Sequence, residues 1–254
     1  RESNKIIDQY NGYIKDAQDE QDQLGKEMEQ TAKSMGLLTD ETEANTKASK
    51  ENVITAQEVT ASTKTTKEAL DDLKEKFKET KEEIQHLESI SNALDIATEE
   101  SDLSQIKEEL MEYGYVKRHY GNKKGAKMQV KSKPFHYVSS DGYDIYVGKN
   151  NYQNDELTFK FATGNDWWFH AKKMPGSHVV VKTKDGTLPD RTFEEAGNLA
   201  AYYSKGRTAP KVEIDYLQKK NVKKPAGAKP GFVVYYTNYS LMASPDITGI
   251  EQLS

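Results

Sequence analysis

The sequence predicts an α+β protein: a long helical coiled-coil arm followed by a compact antiparallel-sheet domain with one main helix. Two observations carry that reading. Apolar residues recur at helical spacing up to Gly114 and in strand-like alternation after it. The charge reverses at the same place. Residues 1–114 hold 14 Lys/Arg against 28 Asp/Glu, a net of −14, whereas residues 115–254 hold 22 against 13, a net of +9. An acidic half joined to a basic half reads as two modules with different partners. With 35% hydrophobic and 30% charged residues, the 254-residue chain is too polar for one globule and fits a long solvated element.

The arm is placed at 1–114. Residues 1–35 are mostly helix formers, with Ile6, Tyr10, Tyr13 and Ile14 at helical spacing. Residues 36–66, rich in Thr, Ser, Ala, Asn and Glu, fit frayed helix, loop or disorder equally well. From there the stripe sharpens. Leu73, Phe77, Ile84, Leu87 and Leu94 are spaced for an amphipathic, coiled-coil helix of about six turns. Asp102, with Gln105 three residues on, reads as the cap of a second helix striped by Leu103, Ile106 and Leu110 and ended by Gly114. A helical hairpin of this kind also serves as a plain spacer.

Residues 115–132 form a basic, Gly-punctuated linker. The sheet domain is placed at 133–254. Its expected strands are FHYVSS, DIYVGKN, LTFKFA, WWFHAK, SHVVVK, VEIDYLQ and FVVYYT, with Asp141-Gly142 and Pro175-Gly176 as turns. Thr192 and Glu195 have the spacing of a capping box for the one helix, whose buried stripe is Phe193, Ala196, Ala200 and Tyr203.

Two constellations stand out. If the strands around Met174 pair symmetrically, His170 and His178 are cross-strand partners on one face with Trp168. Trp167, Phe169, Val179 and Val181 then face the core. Two histidines begin a metal site, but a third ligand is missing and the chain has no Cys, so no metal and no cofactor are expected. Asp166, His170 and Ser177 supply the types of a nucleophilic triad without a nucleophile elbow or an oxyanion cue, so no catalytic residue is assigned. Trp168, His170 and His178 are expected to form an aromatic and polar surface. The second constellation is LQKKNVKKPAGAKPG, where Lys219, Lys220, Lys223, Lys224 and Lys229 fall close together with no acid between them. Lys172, Lys173 and Arg207 add to it, and Tyr202, Tyr203, Tyr235 and Tyr236 lie near in sequence. Basic groups track phosphates and flat rings stack on bases, so this is the pattern of an RNA-binding surface. GAKPG lacks the spacing of a phosphate-binding P-loop.

The segments GKNNYQNDELTFKFA, DWWFHAKKMPGSHVVVK, EEAGNLAAYYSKGR, KVEIDYLQKKNVKKPAGAKPGFVVYYTN and the closing SPD resemble, in order over roughly 133–247, the NFACT-R domain of the RqcH/NEMF family. Residues 73–118 resemble the end of that family's coiled-coil middle domain, whereas residues 1–70 show no counterpart and are of uncertain origin. The family's N-terminal NFACT-N and helix-hairpin-helix modules have no match in this chain. The resemblance implies an RNA-binding component of ribosome-associated quality control. Such proteins bind obstructed large ribosomal subunits and tRNA and support C-terminal tailing of stalled nascent chains, with alanine in bacteria. The ribosome forms the bonds, so the chain is expected not to be an enzyme. Other quality-control factors are expected partners of the coiled coil. The alternative is a coiled-coil interaction scaffold or adhesin, since some relatives carry a fibronectin-binding label. RESNKIIDQY lacks the basic start and apolar core of a secretory signal, and no apolar run approaches the roughly 20 residues that span a bilayer. No membrane association is expected, and the expected location is cytoplasmic.

Overall fold

The structure is a computed structural model that describes residues 56–117 and 132–253. The helix expected within 1–35 and most of the basic linker expected at 115–132 lie outside the described residues. The chain divides into two compact units at Gln85/His86.

Helix α1 runs from Ala56 to Ile96, so residues 56–66 are helical. In the unit ending at Gln85 its described side chains are mostly solvated. Lys74–Asp71 at 3.2 Å and Lys78–Glu75 at 3.5 Å are exposed i,i+3 pairs, each worth a few tenths of a kcal/mol at most. Phe77, expected in the apolar stripe, is 53% exposed.

The second unit opens with the last turns of α1 and helix α2, Glu100–Glu112. Leu87, Ile90 and Leu94 of α1 are buried, as are Leu103, Ile106 and Leu110 of α2. Asp102 is not the cap. Glu99 is, and Asp102 sits one turn inside, its carboxylate accepting the Thr98 and Glu99 backbone N–H groups at 2.9 and 3.0 Å. It also accepts the Ser132 hydroxyl and faces the Lys149 ammonium at 3.4 Å, with both side chains buried. Gln105, expected to complete a capping box, instead accepts from Asn150 at 2.7 Å and Gln153 at 3.1 Å.

Among the described residues seven strands form one antiparallel sheet. They are β1 Phe135–Val138, β2 Asp144–Val147, β3 Trp167–Ala171, β4 Val179–Val181, β5 Val212–Gln218, β6 Tyr239–Ala243 and β7 Glu251–Leu253, in spatial order β6-β5-β3-β4-β2-β1-β7. The first five lie where alternation puts them. LTFKFA is not a strand. Asn150 caps the short helix α3, Asn151–Glu156, and Leu157–Phe161 continue as one π-helical turn closed by the Ala162 N–H on the Leu157 carbonyl at 2.8 Å. Leu157 and Thr158 of that turn are both buried. FVVYYT is not a strand either. It makes a single bridge, Val234 with Lys223, and lays Val233 and Tyr235 over the sheet instead of pairing.

Both faces are covered. Helix α4, Asp190–Tyr202, packs on Phe169, Ala171, Val179, Val181 and Ile214 through Ala196, Leu199 and Ala200. It starts two residues before the expected cap. Thr192 and Glu195 reach away to hold the β1–β2 turn, Thr192 on Asp141 at 2.8 Å and Glu195 on the Ser140 N–H at 2.8 Å. The opposite face, with Trp168, Val180 and Leu217, lies under Leu157, Ala162 and Val222.

His178 fastens that second layer. Its Nε2 is 3.1 Å from the Gly231 carbonyl and its Nδ1 is 3.2 Å from the Asn154 carbonyl, and the neutral ring donates to one of the two. The Thr158 hydroxyl lies 2.7 Å from Nδ1, and the His178 backbone N–H donates to Asn154 Oδ1 at 2.9 Å. Burial, reinforced by the neighbouring His170, holds the imidazole well below its ordinary pKa, so it is neutral near pH 7.

Two pH windows follow. Burial opposes ionisation of Asp102, but the Ser132 and Thr98 hydrogen bonds and the Lys149 charge overcome it and hold the pKa below 3.8. Its stabilisation is complete above about pH 4 and is lost as pH falls through the folded value. Asp102→Ala at neutral pH removes one partner of a buried pair and is expected to cost about 3–5 kcal/mol in urea unfolding. His178 acts higher. Since its folded pKa is depressed, stability is full above about pH 6.5 and declines below it by up to about 1.4 kcal/mol per pH unit. Denaturant titrations from pH 7.5 to 5 should show that slope, and His178→Gln should reduce it to the share left by His170, whose pKa burial also lowers.

Candidate nucleic-acid interface

The β3–β4 hairpin is symmetric about Met174. Trp167 pairs with Val181, Trp168 with Val180 and Phe169 with Val179. The same register sets His170 against His178, with ring centroids 5.5 Å apart and planes at 89°. Trp168 stacks on His170 at 5.6 Å and meets His178 edge-on at 5.0 Å. The expected triplet is therefore assembled, but it is not a surface. Trp168 and His178 are buried beneath the second layer, and only His170 stays half-exposed. Alternation marked this face as less apolar and gave no sign that a π turn would cover it. Desolvation lowers the His170 pKa, so the cluster carries no positive charge near neutrality. Both His178 ring nitrogens face protein partners, Nδ1 the Thr158 hydroxyl and the Asn154 carbonyl and Nε2 the Gly231 carbonyl.

The triad types do not meet. Asp166 precedes β3 and His170 lies near its far end, roughly 13 Å along an extended strand. Asp166 is a structural hub, accepting the Thr163 N–H at 2.7 Å, the Thr183 N–H at 2.9 Å and the Lys182 ammonium. Burial opposes its charge, but these bonds hold its pKa below the usual carboxylate value.

The eight candidate basic residues separate into two groups at opposite ends of β3 and β5. Lys172, Lys173 and Arg207 gather at the hairpin tip, where the Lys205 N–H meets the Pro175 carbonyl at 2.9 Å. Lys172 pairs with Glu213 at 2.6 Å, and Arg207 lies over the Tyr202 ring at 5.0 Å. Lys173 is exposed and takes a left-handed backbone, φ 56°, to close the turn.

The lysine-rich segment follows β5 at the other end. Lys219 and Lys220 hang their backbone N–H groups on the Asp166 and Gly164 carbonyls at 2.8 and 3.2 Å. Beyond them the loop folds back over the sheet. Asp155 accepts the Gly231 N–H at 2.9 Å and pairs with Lys224 at 2.8 Å. Gly231 has φ 81°, and a Cβ there would stand 2.6 Å from Asn151 Oδ1, so only glycine fits. Lys229 points to the Tyr115 hydroxyl at 3.1 Å, with the Tyr113 and Tyr115 ring centroids 5.5 and 5.7 Å from its ammonium. Lys224 and Lys229 thus hold the loop to the fold. Lys219, Lys220 and Lys223 form no ion pair among the described residues, and Lys220 and Lys223 are exposed.

Sequence reasoning missed the carboxylates that organise this face. Asp215 accepts from Tyr235 at 2.8 Å, Asn238 at 2.8 Å and Ser240 at 2.6 Å. Its signal was legible, because an acid in phase with buried Leu217 on an apolar strand must be satisfied internally. Asp155 gave no comparable cue, since its partner is 69 residues away.

A family model described as the NFACT protein RNA binding domain matches residues 133–237, and one described as the NFACT N-terminal and middle domains matches residues 27–129. The second carries the match into residues 27–70, where sequence reading found no counterpart. The Rqc2 homolog RqcH of Streptococcus pneumoniae is 42% identical over 173 residues, and that of Bacillus subtilis 40% over 177; each alignment covers 67% of this chain. The chain spans about 30% of the length of these curated relatives. The solved structure of the C-terminal of the fibronectin/fibrinogen-binding protein from Streptococcus suis superposes with a TM-score of 0.76 at 34% identity, covering 96% of both chains. No helix among the described residues is long and apolar enough to cross a membrane. With both halves matched and the fold shared along nearly its whole length, the chain belongs to the RqcH/NEMF family.

Proposed function

We propose that this chain is an RNA-contacting part of ribosome-associated quality control, engaging obstructed large ribosomal subunits and tRNA in support of C-terminal tailing. One observation carries the reading. The segment matched by the RNA-binding family model is the one that holds Lys219, Lys220 and Lys223 without ion pairs among the described residues. Phosphate neutralisation falls to these three, with Lys173 and Arg207 as a second contact at the hairpin tip. Lys224 and Lys229 serve by holding the loop in place. The ribosome's peptidyl-transferase centre forms the bonds, so the chain contributes binding and positioning and no catalytic group.

A second reading rests on the Streptococcus suis relative, named for binding fibronectin and fibrinogen. It makes the chain a protein-binding scaffold, and nuclease treatment separates the two. Under the RNA reading, binding to large subunits and to tRNA weakens steeply with salt. Lys219→Glu/Lys220→Glu/Lys223→Glu should flatten the plot of log affinity against log salt by about 2–3 units, roughly 0.7–0.9 per lost phosphate contact. Binding measured from 50 to 300 mM KCl tests this. A salt-independent affinity, or an unchanged slope in the triple variant, rejects it.

A further inference from the structure

A row of aromatic rings crosses the α4-covered face of the sheet and ends in the open. Phe169, Tyr216 and Tyr239 are successive cross-strand partners on β3, β5 and β6. Phe169 stacks on Tyr216 with centroids 5.5 Å apart and planes 15° from parallel, and Tyr216 stacks on Tyr239 at 5.5 Å and 29°. Phe193 and Trp167 brace the middle ring at 5.3 and 5.9 Å. Phe169 is fully buried, Tyr216 is half-buried and Tyr239 is 63% exposed. Strand β6 is the last in the sheet, and no described strand stands beyond it. The next stacking position therefore lies just outside the edge, about one strand spacing, 4.8 Å, further on.

This edge lacks the usual protection. Edge strands are normally blunted by charge or proline, yet Tyr239–Ala243 reads YSLMA. Met242 is 58% exposed, and Tyr236, three residues before the strand, is 87% exposed. Charge decides what the edge suits. Tyr239 lies opposite Tyr216, and Lys219 and Lys220 follow Tyr216 by three and four residues, within about 14 Å of backbone. Lys223 is bridged to Val234, two residues before Tyr236. The opposing charges are Asp190, whose field reaches Tyr216 from the start of α4, Asp215, bonded to Asn238 and Ser240, and Glu213, paired with Lys172. Flat exposed rings with cations at one end make a site for a polyanion that carries planar groups.

We propose that Tyr239, with Tyr236 close by in sequence, is a stacking platform for an unpaired nucleobase, while the phosphates of that strand lie on Lys219, Lys220 and Lys223. The proposal rests on the RNA reading above and narrows it. The nucleotide held here is single-stranded or splayed out, because a paired base keeps both faces in its own stack.

The test uses the full chain and a fluorescently labelled uridine 12-mer, with a 12-mer duplex RNA and an abasic strand of equal length as comparisons. Tyr239→Ala should weaken 12-mer binding by about 5- to 150-fold, the range for loss of one base-stacking ring. Its salt slope should stay unchanged and duplex binding should be unaffected. Tyr239→Phe should bind like the parent chain. The abasic strand should bind the parent and Tyr239→Ala equally. A Tyr239→Ala variant that binds the 12-mer like the parent, while Lys219→Glu/Lys220→Glu still weakens it, overturns the platform and leaves the RNA reading intact. Loss of nuclease-resistant large-subunit binding in Tyr239→Ala, with 12-mer affinity unchanged, assigns the edge to a protein and also overturns it. No 12-mer, tRNA or subunit binding by the parent chain overturns both readings.

Discussion

A sheet covered on both faces must anchor two layers, and the second layer here is short, irregular and partly polar. The imidazole of His178 makes that possible. From one buried position His178 holds the π turn through its ring and Thr158, helix α3 through its backbone N–H and Asn154, and the lysine loop through its ring and Gly231. Burial keeps that ring neutral near pH 7. Because the loop is fixed there, Lys224 can reach Asp155 and Val222 can close over Trp168. Burial of Trp168 is thus a consequence of how His178 is bonded as much as of its own apolar area.

The same preference for satisfied polar contacts recurs where the helical hairpin meets the sheet within the second unit. Asp102 gathers Thr98, Glu99, Ser132 and Lys149, and Glu109 joins His86 to Asn151, each at 2.8 Å. An apolar junction of equal size would be at least as stable, since desolvating a carboxylate cancels much of its attraction to an ammonium. Direction is what the polar version adds. Each carboxylate accepts from groups on separate segments at fixed angles, so sliding α2 along the sheet breaks several bonds together.

Local pattern carried the parts of the fold whose environment is uniform. Strands β1 to β5 alternate against a continuous core, and the symmetric hairpin could be registered from Met174 alone. Alternation failed at LTFKFA and FVVYYT because both runs lie on the sheet instead of in it. A residue covering a face is apolar for the same reason as one lining it, and period 2 does not tell them apart. The missed strands β6 and β7 failed for the converse reason. YSLMA and EQL sit at the two edges, where little burial imposes a pattern. In the site, lysine density was legible while its meaning was not. Asp155 and the Tyr113/Tyr115 pair that engage Lys224 and Lys229 are brought in by tertiary structure from distant sequence.

Coverage of both faces also bears on where the proposed RNA contact can lie. RNA-binding sheets of the recognition-motif type stack bases on an open face. Here that option is closed, since α4 occupies one side and the π turn with the lysine loop occupies the other. Only edges and loop tips remain, and the available cations have sorted to those places: Lys173 at the hairpin tip, and Lys220 and Lys223 at the far end. The conspicuous run DWWFHAKKMPGSH is therefore mainly a device for building the second layer. A solvent-facing role is left to its turn lysines, and the ring best placed to meet a base stands on an edge strand that attracted no notice as sequence.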